Sequence, residues 1–306
     1  MGGQGVNVAP IEKAVVPVAG LGTRMLPATK SQPKEMLPVG RKPVVQYVVE
    51  ELAHQGLKDV LFVTGWKKRA IEDHFDESPE LVERLTGKRK WRLLDVLNDA
   101  QAPGMNFYYV RQRTPRGLGD AVAHARRFVG KDQFVVALGD AIIYGAVYSD
   151  LLRRMMDAHL RHGPAATVAV ERLEGEELGM YGVVKPSEDP EGGDFALADI
   201  VEKPSPGEAP SPFAVAARYV FDPIIFQAIE RTPQVHGEVG LSHAIRTLLK
   251  MGAPVRCVVL RPEERRFDIG NFGSYFRAFL FFALRDPEYG PSLLEFLRRE
   301  VGSLDK

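Results

Sequence analysis

The sequence holds a single cysteine, Cys257, which excludes an intramolecular disulfide and any multi-cysteine zinc site and fits a reducing compartment. Set in an apolar stretch, that thiol reads as buried and inert. Neither charge is in excess. Lys+Arg and Asp+Glu stand at 40 each, which argues against a strongly basic nucleic-acid binder, although a balanced total can hide a local basic cleft. Long hydrophobic runs are also missing: AFLFFAL near residue 280 falls far short of the roughly 20 residues a membrane span needs. The segment MGGQGVNVAP has no basic stretch followed by an apolar core, so no signal peptide is expected there. There is no internal repeat, no low-complexity segment and no Gly-x-Ser-x-Gly elbow. His159 and His162 share a helix face without a nearby carboxylate or thiol, so they make a poor metal site. The expectation left by these absences is a cytoplasmic protein with neither nucleic acid nor membrane as partner.

What is present is an α/β texture. Hydrophobic residues make up 45% of the 306-residue chain, enough for a large core. KAVVPVAG, DVLFVTG, NFYYVRQ and DQFVVALGD are apolar throughout and read as buried strands. Amphipathic segments such as VVQYVVEELAHQG separate them. This alternation is the pattern of a parallel sheet covered on both faces. Residues 79 to 99 read as one helix, and Lys67-Lys68-Arg69 and Lys88-Arg89-Lys90 as solvated helix faces. After about residue 164 the segments ATVAVERL, MYGVVKP, FALADIVEKP and FAVAARYVF follow one another with turn-rich loops between, which predicts antiparallel strands added to the sheet. A helix is expected from about residue 272, its aromatic run Phe276, Phe279, Phe281 and Phe282 serving as core or subunit contact. The expected fold is a doubly wound, mostly parallel, Rossmann-like sheet with an antiparallel β extension and C-terminal helices. It would form one domain with halves at about 12–164 and 165–270 and a helical segment at 271–306.

In such sheets ligands bind beyond the carboxyl ends of the strands. The first strand empties into Ala19-Gly20-Leu21-Gly22-Thr23-Arg24. Its glycines admit a ligand close to the backbone, whose amides can donate to phosphate oxygens. Arg24 and Lys34 supply charge-assisted donors for an anion above that loop. The loop lacks the third glycine of the dinucleotide fingerprint and the Gly-Lys-Ser/Thr of a Walker loop. A plain glycine turn with solvated cations is the alternative. The fourth strand ends in Leu138-Gly139-Asp140, and a late segment in Asp268-Ile269-Gly270-Asn271. Two carboxylates match the one or two that Mg²⁺ takes from a protein. Val201-Glu202-Lys203-Pro204 sets an acid beside a base at a strand end.

Together these segments carry a resemblance. Gly20-x-Gly22-Thr23-Arg24, Pro33-Lys34-Glu35-Met36-Leu37-Pro38, Gly117-Leu118-Gly119, Leu138-Gly139-Asp140, Tyr181-Gly182-Val183-Val184, Val201-Glu202-Lys203-Pro204 and Asp268-x-Gly270-Asn271 follow in order from about residue 12 to 285. The set resembles the sugar-1-phosphate nucleotidylyltransferases, nearest to members that join UTP and glucose 1-phosphate. The resemblance implies that Ala19, Gly20, Gly22 and Thr23 lie along the nucleotide, with Arg24 and Lys34 on the triphosphate. It also implies that Gln112 reads the pyrimidine edge while Gly117 closes on the base. Gly182 and Glu202 would meet the sugar, Lys203 the sugar phosphate, and Asp140 and Asp268 Mg²⁺. Glu35 belongs to the matched motif without an evident role. A homodimer or higher homo-oligomer is implied as well.

Two positions depart from the pattern. Asp120 stands where a histidine usually follows Gly-Leu-Gly. His243 stands where relatives usually have aspartate, in Glu238-Val239-Gly240-Leu241-Ser242-His243-Ala244. These departures leave open a compensated swap or a changed preference, for dTTP or for another hexose 1-phosphate. A catalytically silent nucleotide-sugar binder is a further alternative, though it would need neither leaving-group cations nor metal carboxylates.

Overall fold

The computed structural model describes residues 10–145, 149–205 and 207–304; nearly all of the MGGQGVNVAP segment lies outside them. The strands in chain order are β1 (Lys13–Pro17), β2 (Pro38–Val39), β3 (Lys42–Pro43), β4 (Asp59–Thr64), β5 (Asn106–Arg111), β6 (Phe134–Ala137) and β7 (Ala141–Tyr144). They continue as β8 (Ala166–Arg172), β9 (Gly182–Pro186), β10 (Asp194–Glu202), β11 (Phe213–Phe221), β12 (Val255–Val259) and β13 (Arg265–Asp268). Nine of them form one sheet in the order β5-β4-β1-β6-β11-β8-β12-β10-β9. β5, β4, β1 and β6 run parallel, as their uniformly apolar sequences predict. β11 enters antiparallel to β6, and β10 pairs antiparallel with both β12 and β9. The antiparallel extension therefore begins at β11. β9 also meets β11 at Ala214↔Val183, which bends the extension back on itself.

Alternation along the strands builds a core on each face. Val15, Leu61, Val63, Phe134 and Val136 pack on one face. Ala14, Val16, Val60, Phe62 and Val135 pack on the other, with α1 (Val44–His54). Phe62 is fully buried among Phe75, Phe107 and Tyr109, a burial that stabilises by about 1.5–3 kcal/mol.

The helix expected as a single piece over residues 79 to 99 is broken. Residues 79 to 99 form α2 (Arg69–Phe75)'s successors α3 (Pro79–Gly87) and α4 (Trp91–Ala100). Lys88-Arg89-Lys90 is the joint between them, with Arg89 at φ 53°, rather than a helix face. The helical stretch after Gly117 is likewise two short pieces, α5 (Leu118–Ala123) and α6 (Arg126–Val129). α7 (Leu151–His162), α8 (Ile225–Arg231) and α9 (Leu241–Lys250) cover the later strands. At the C-terminus α10 (Phe272–Leu284) starts from a capping box between Asn271 and Ser274 and stops before Pro287, after which α11 (Gly290–Leu304) begins. Phe281 and Phe282 pack into a small third core with Val39, Ile142 and Phe267, whereas Phe276 and Phe279 remain exposed.

Candidate active site

The strand order reverses between β1 and β6, and there the glycine loop meets the Asp140 strand end. The approach is tight: a Cβ on Gly139 would lie 2.5 Å from Val18 Cγ1. Gly22 adopts φ 67°, which favours glycine, and Thr29 Oγ1 donates to its carbonyl at 2.7 Å. Lys34 lies over Gly20, its Nζ 3.9 Å from where a Cβ would stand. Above the loop opens a cavity of about 410 Å³ whose walls include Ala19, Gly20, Gly22, Thr23, Gln112 and Gly117. A second cavity of about 410 Å³ is bordered by Gly182, Glu202, Lys203, His243, Arg266 and Asp268. Leu118, Leu138 and Glu238 line both, so the two form one cleft with two compartments.

Asp140 and Asp268 meet through backbone pairing. β7 and β13 pair with Asp268 opposite Ala141, and Ile269 N donates to the Asp140 carbonyl at 3.1 Å. Lys34 Nζ is ion-paired with Asp140, and Gly270 N donates to Asp268. Arg24 Nη2 lies 3.0 Å from the position of a Cβ on Gly270, which sets its guanidinium beside the same turn. Burial acts against the Lys34 ammonium, but Asp140, Glu35 and Asp268 carry its pKa well above the ordinary range. Burial also works against the Asp140 carboxylate, yet Lys34 holds its pKa below the usual value. Asp268 goes the other way: burial and then Asp140 push it up, against the pull of Arg266. The two carboxylates thus diverge, Asp140 held below and Asp268 pushed above the ordinary carboxylate value.

Arg266, two residues before Asp268, was not singled out from the sequence. Its side chain is 5% exposed, ion-paired with Glu171, 3.4 Å from Asp268 Oδ2, and stacked 4.0 Å over the Tyr181 ring. Lys203 directly follows β10 in the left-handed region at φ 46°, its N–H donating to the Tyr181 carbonyl at 3.1 Å. That twist breaks the alternation that would send Glu202 and Lys203 to opposite faces, and both border the second compartment.

Lys68 corrects the reading of Lys67-Lys68-Arg69 as a solvated face. Only 5% exposed, its Nζ donates to Glu35 Oε2 at 2.7 Å. Glu35 is itself 1% exposed, and burial raises its pKa against the pull of Lys68 and Lys34. Lys68 lies just past the carboxyl end of β4, on the sheet edge that carries the cleft, and that position was the available sequence signal. A second buried pair braces the strand behind Asp140: Arg218 donates to Glu51 Oε2 at 2.6 Å and to the Ala141 carbonyl at 2.9 Å.

Gln112 is held by its backbone N–H, which donates to Thr64 O at 2.8 Å. Its Nε2 donates to Asp120 Oδ2 at 2.6 Å and to the Gly117 carbonyl at 3.3 Å. The amide therefore offers the cavity its acceptor alone, not donor and acceptor together. Gly117, at φ 92°, has Val239 O 2.6 Å from where a Cβ would be. His243 Nδ1 is buried without a hydrogen-bond partner, and among the described residues no ion pair joins His243 to Asp120.

Comparison with known proteins adds identity to this geometry. The family profile described as "Nucleotidyl transferase" matches residues 13–284. The UTP–glucose-1-phosphate uridylyltransferase of Bacillus subtilis (strain 168) is 40% identical over 288 residues, 94% of this chain and 96% of that protein. Its counterpart from Streptococcus pyogenes is 39% identical over 299 residues, 97% of this chain and 96% of that protein. Among solved structures, a UTP-bound UGPase from Acinetobacter baumannii superposes with a TM-score of 0.85 at 37% identity, covering 94% of this chain and 98% of the other. A UDP-glucose pyrophosphorylase complexed with UDP-glucose superposes with a TM-score of 0.78 at 33% identity, covering 90% and 100%.

Proposed function

Because the chain belongs to the nucleotidyl transferase family, we propose that it transfers UMP from UTP to glucose 1-phosphate, giving UDP-glucose and pyrophosphate. The observation that carries this reading is the convergence of Lys34, Asp140, Asp268 and Arg24 at the junction of two compartments of about 410 Å³ each. One compartment suits the nucleotide and the other the sugar phosphate.

The attacking group is a phosphate oxygen. A phosphate monoester has a second pKa of about 6, so this nucleophile is largely ionised at neutral pH and needs no general base. The requirement is charge control and alignment. Ala19, Gly20, Gly22 and Thr23 bring backbone against the nucleotide, while Gln112 and Gly117 meet the base. Arg24 and Lys34 neutralise the departing pyrophosphate. Gly182 and Glu202 seat the sugar. Lys203, with Arg266 lining the same compartment, holds the sugar phosphate in line with the α-phosphorus. Glu35 acts from beneath, as the buried partner of Lys68 beside the Lys34 turn.

Asp140 and Asp268 fit Mg²⁺. Two half-buried carboxylates drawn together by β7–β13 pairing, one of them pushed up in pKa by desolvation and then by the other, form a site that a hard divalent cation would relieve. When bound, Mg²⁺ would supply positive charge to the phosphates at the junction. We further propose a homodimer or higher assembly through the exposed Phe276 and Phe279 face of α10, and a cytoplasmic location, for which the single buried Cys257 argues. Among the described residues no helix is long and apolar enough to cross a membrane.

The test is pyrophosphate release with Mg²⁺ and glucose 1-phosphate, offering UTP, dTTP, CTP, ATP and GTP separately beside an Asp140→Asn variant. Release with UTP that requires the sugar phosphate and disappears in the variant is expected. A dTTP preference would reassign the nucleotide. Binding without turnover would favour the silent nucleotide-sugar binder.

A further inference from the structure

We propose that Asp120 is a positioning residue that sets base selectivity by fixing the orientation of the Gln112 amide. The inference rests on the function reading above, in which Gln112 meets the base. A carboxylate oxygen only accepts, so the Gln112 nitrogen must be the atom facing Asp120 Oδ2 at 2.6 Å. The second amide hydrogen is directed to the Gly117 carbonyl at 3.3 Å. Among the described residues no donor reaches Gln112 Oε1, and that atom is not among those sealed without a partner. What remains for a ligand in the first compartment is an acceptor alone.

Asp120 cannot easily move aside. It lies in the first turn of α5, where Gly119 N donates to Val239 O at 2.8 Å, and a Cβ on Gly119 would lie 2.9 Å from that same oxygen. His124 Nδ1 contacts the Asp120 carbonyl at 2.8 Å and lies 3.9 Å from Oδ2. Gln112 is 4% exposed and pinned through its backbone.

A fixed acceptor at this position selects for what the base presents at ring position 3. Uracil and thymine place an N–H there, whereas cytosine places a lone pair. An unfixed glutamine could flip and donate to cytosine instead. Asp120 therefore separates UTP from CTP and leaves UTP against dTTP untouched. Any side chain that accepts from Nε2 can do the same work, which explains how an aspartate can stand where relatives usually carry another residue.

The test compares kcat/KM for UTP, CTP and dTTP, and equilibrium titration with each nucleotide, across the parent, Asp120→Ala, Asp120→Ser and Asp120→Asn, with thermal unfolding of each. Expected is a parent that favours UTP over CTP and a ratio that falls about tenfold or more in the alanine and serine variants, whose side chains cannot reach Nε2. Asp120→Asn, whose amide oxygen still accepts, should retain most of the ratio, and UTP against dTTP should not change in any variant. A purely structural defect would lower all three nucleotides together and leave the ratios alone. A UTP-selective parent whose truncated variants keep the UTP:CTP ratio overturns this inference only. An asparagine variant as unselective as alanine overturns it too. A parent that neither binds nor uses pyrimidine nucleotides overturns the function reading and this inference with it.

Discussion

Removing Lys68 would leave the Glu35 carboxylate, 1% exposed, without the ammonium that lies 2.7 Å away. Breaking one side of a buried ion pair costs about 3–5 kcal/mol, because the surviving charge has lost its partner but not its desolvation. Unfolding entropy of about 2.1 cal/mol/K per residue gives roughly 0.6 kcal/mol/K for a chain of this size, so Lys68→Met should lower Tm by about 5–8 °C. The pH dependence fixes the cause. Glu35 already has its pKa raised by burial, and loss of Lys68 raises it further. A carboxyl whose folded pKa exceeds its unfolded one binds more protons when folded, so stability is retained at low pH and lost as pH rises through the folded pKa. The gap between variant and parent should therefore be widest at pH 8 and narrow toward pH 5. Glu35→Gln combined with Lys68→Met should recover part of the loss, since neither charge remains buried. Calorimetric unfolding of the parent, both single variants and the double variant at three pH values measures all of this. A single variant within 1 °C of the parent would refute the reasoning, as would a double variant no better than Lys68→Met.

Asp140→Asn should lower kcat by about 100-fold or more while the protein stays folded at the assay temperature, read by stopped-time pyrophosphate assay and calorimetry. Mg²⁺ affinity should weaken progressively as pH is lowered, because a proton competes for the Asp268 carboxylate, whose pKa is raised; isothermal titration over a descending pH series, as far as the protein stays folded, would detect it. Lys203→Ala should raise KM for glucose 1-phosphate about tenfold or more with UTP affinity kept. Lys203→Gly should be about 1 kcal/mol more stable than the alanine variant, because φ 46° suits glycine. Gly117→Ala, forced to place a Cβ 2.6 Å from Val239 O, should cost about 2 kcal/mol or more in a denaturant titration.

Local chemistry made much of this protein legible in its sequence. Apolar runs alternating with amphipathic segments specify parallel strands under helices, and the change of texture near residue 164 marks where antiparallel strands begin. Gly20, Gly22, Asp140, Glu202, Lys203 and Asp268 could all be named as candidates, because glycines and charged residues at the ends of apolar strands have few other uses. Breaks inside helices were harder to see: Arg89 carries no sequence mark of its left-handed backbone.

What only the tertiary structure decided is which charges are buried and which donors are already taken. Lys68 resembles its neighbours Lys67 and Arg69 in sequence, yet it faces Glu35 from an element 33 residues away. Arg218 and Glu51 pair across 167 residues behind Asp140. Gln112 offers donor and acceptor by composition, but Asp120 and Gly117 occupy the donor and leave only the acceptor. Periodicity and strand ends act between neighbours in the chain, so sequence by itself determined the fold class and the candidate list. Ion pairing and hydrogen-bond saturation act between neighbours in space, and the folded sheet alone sets those.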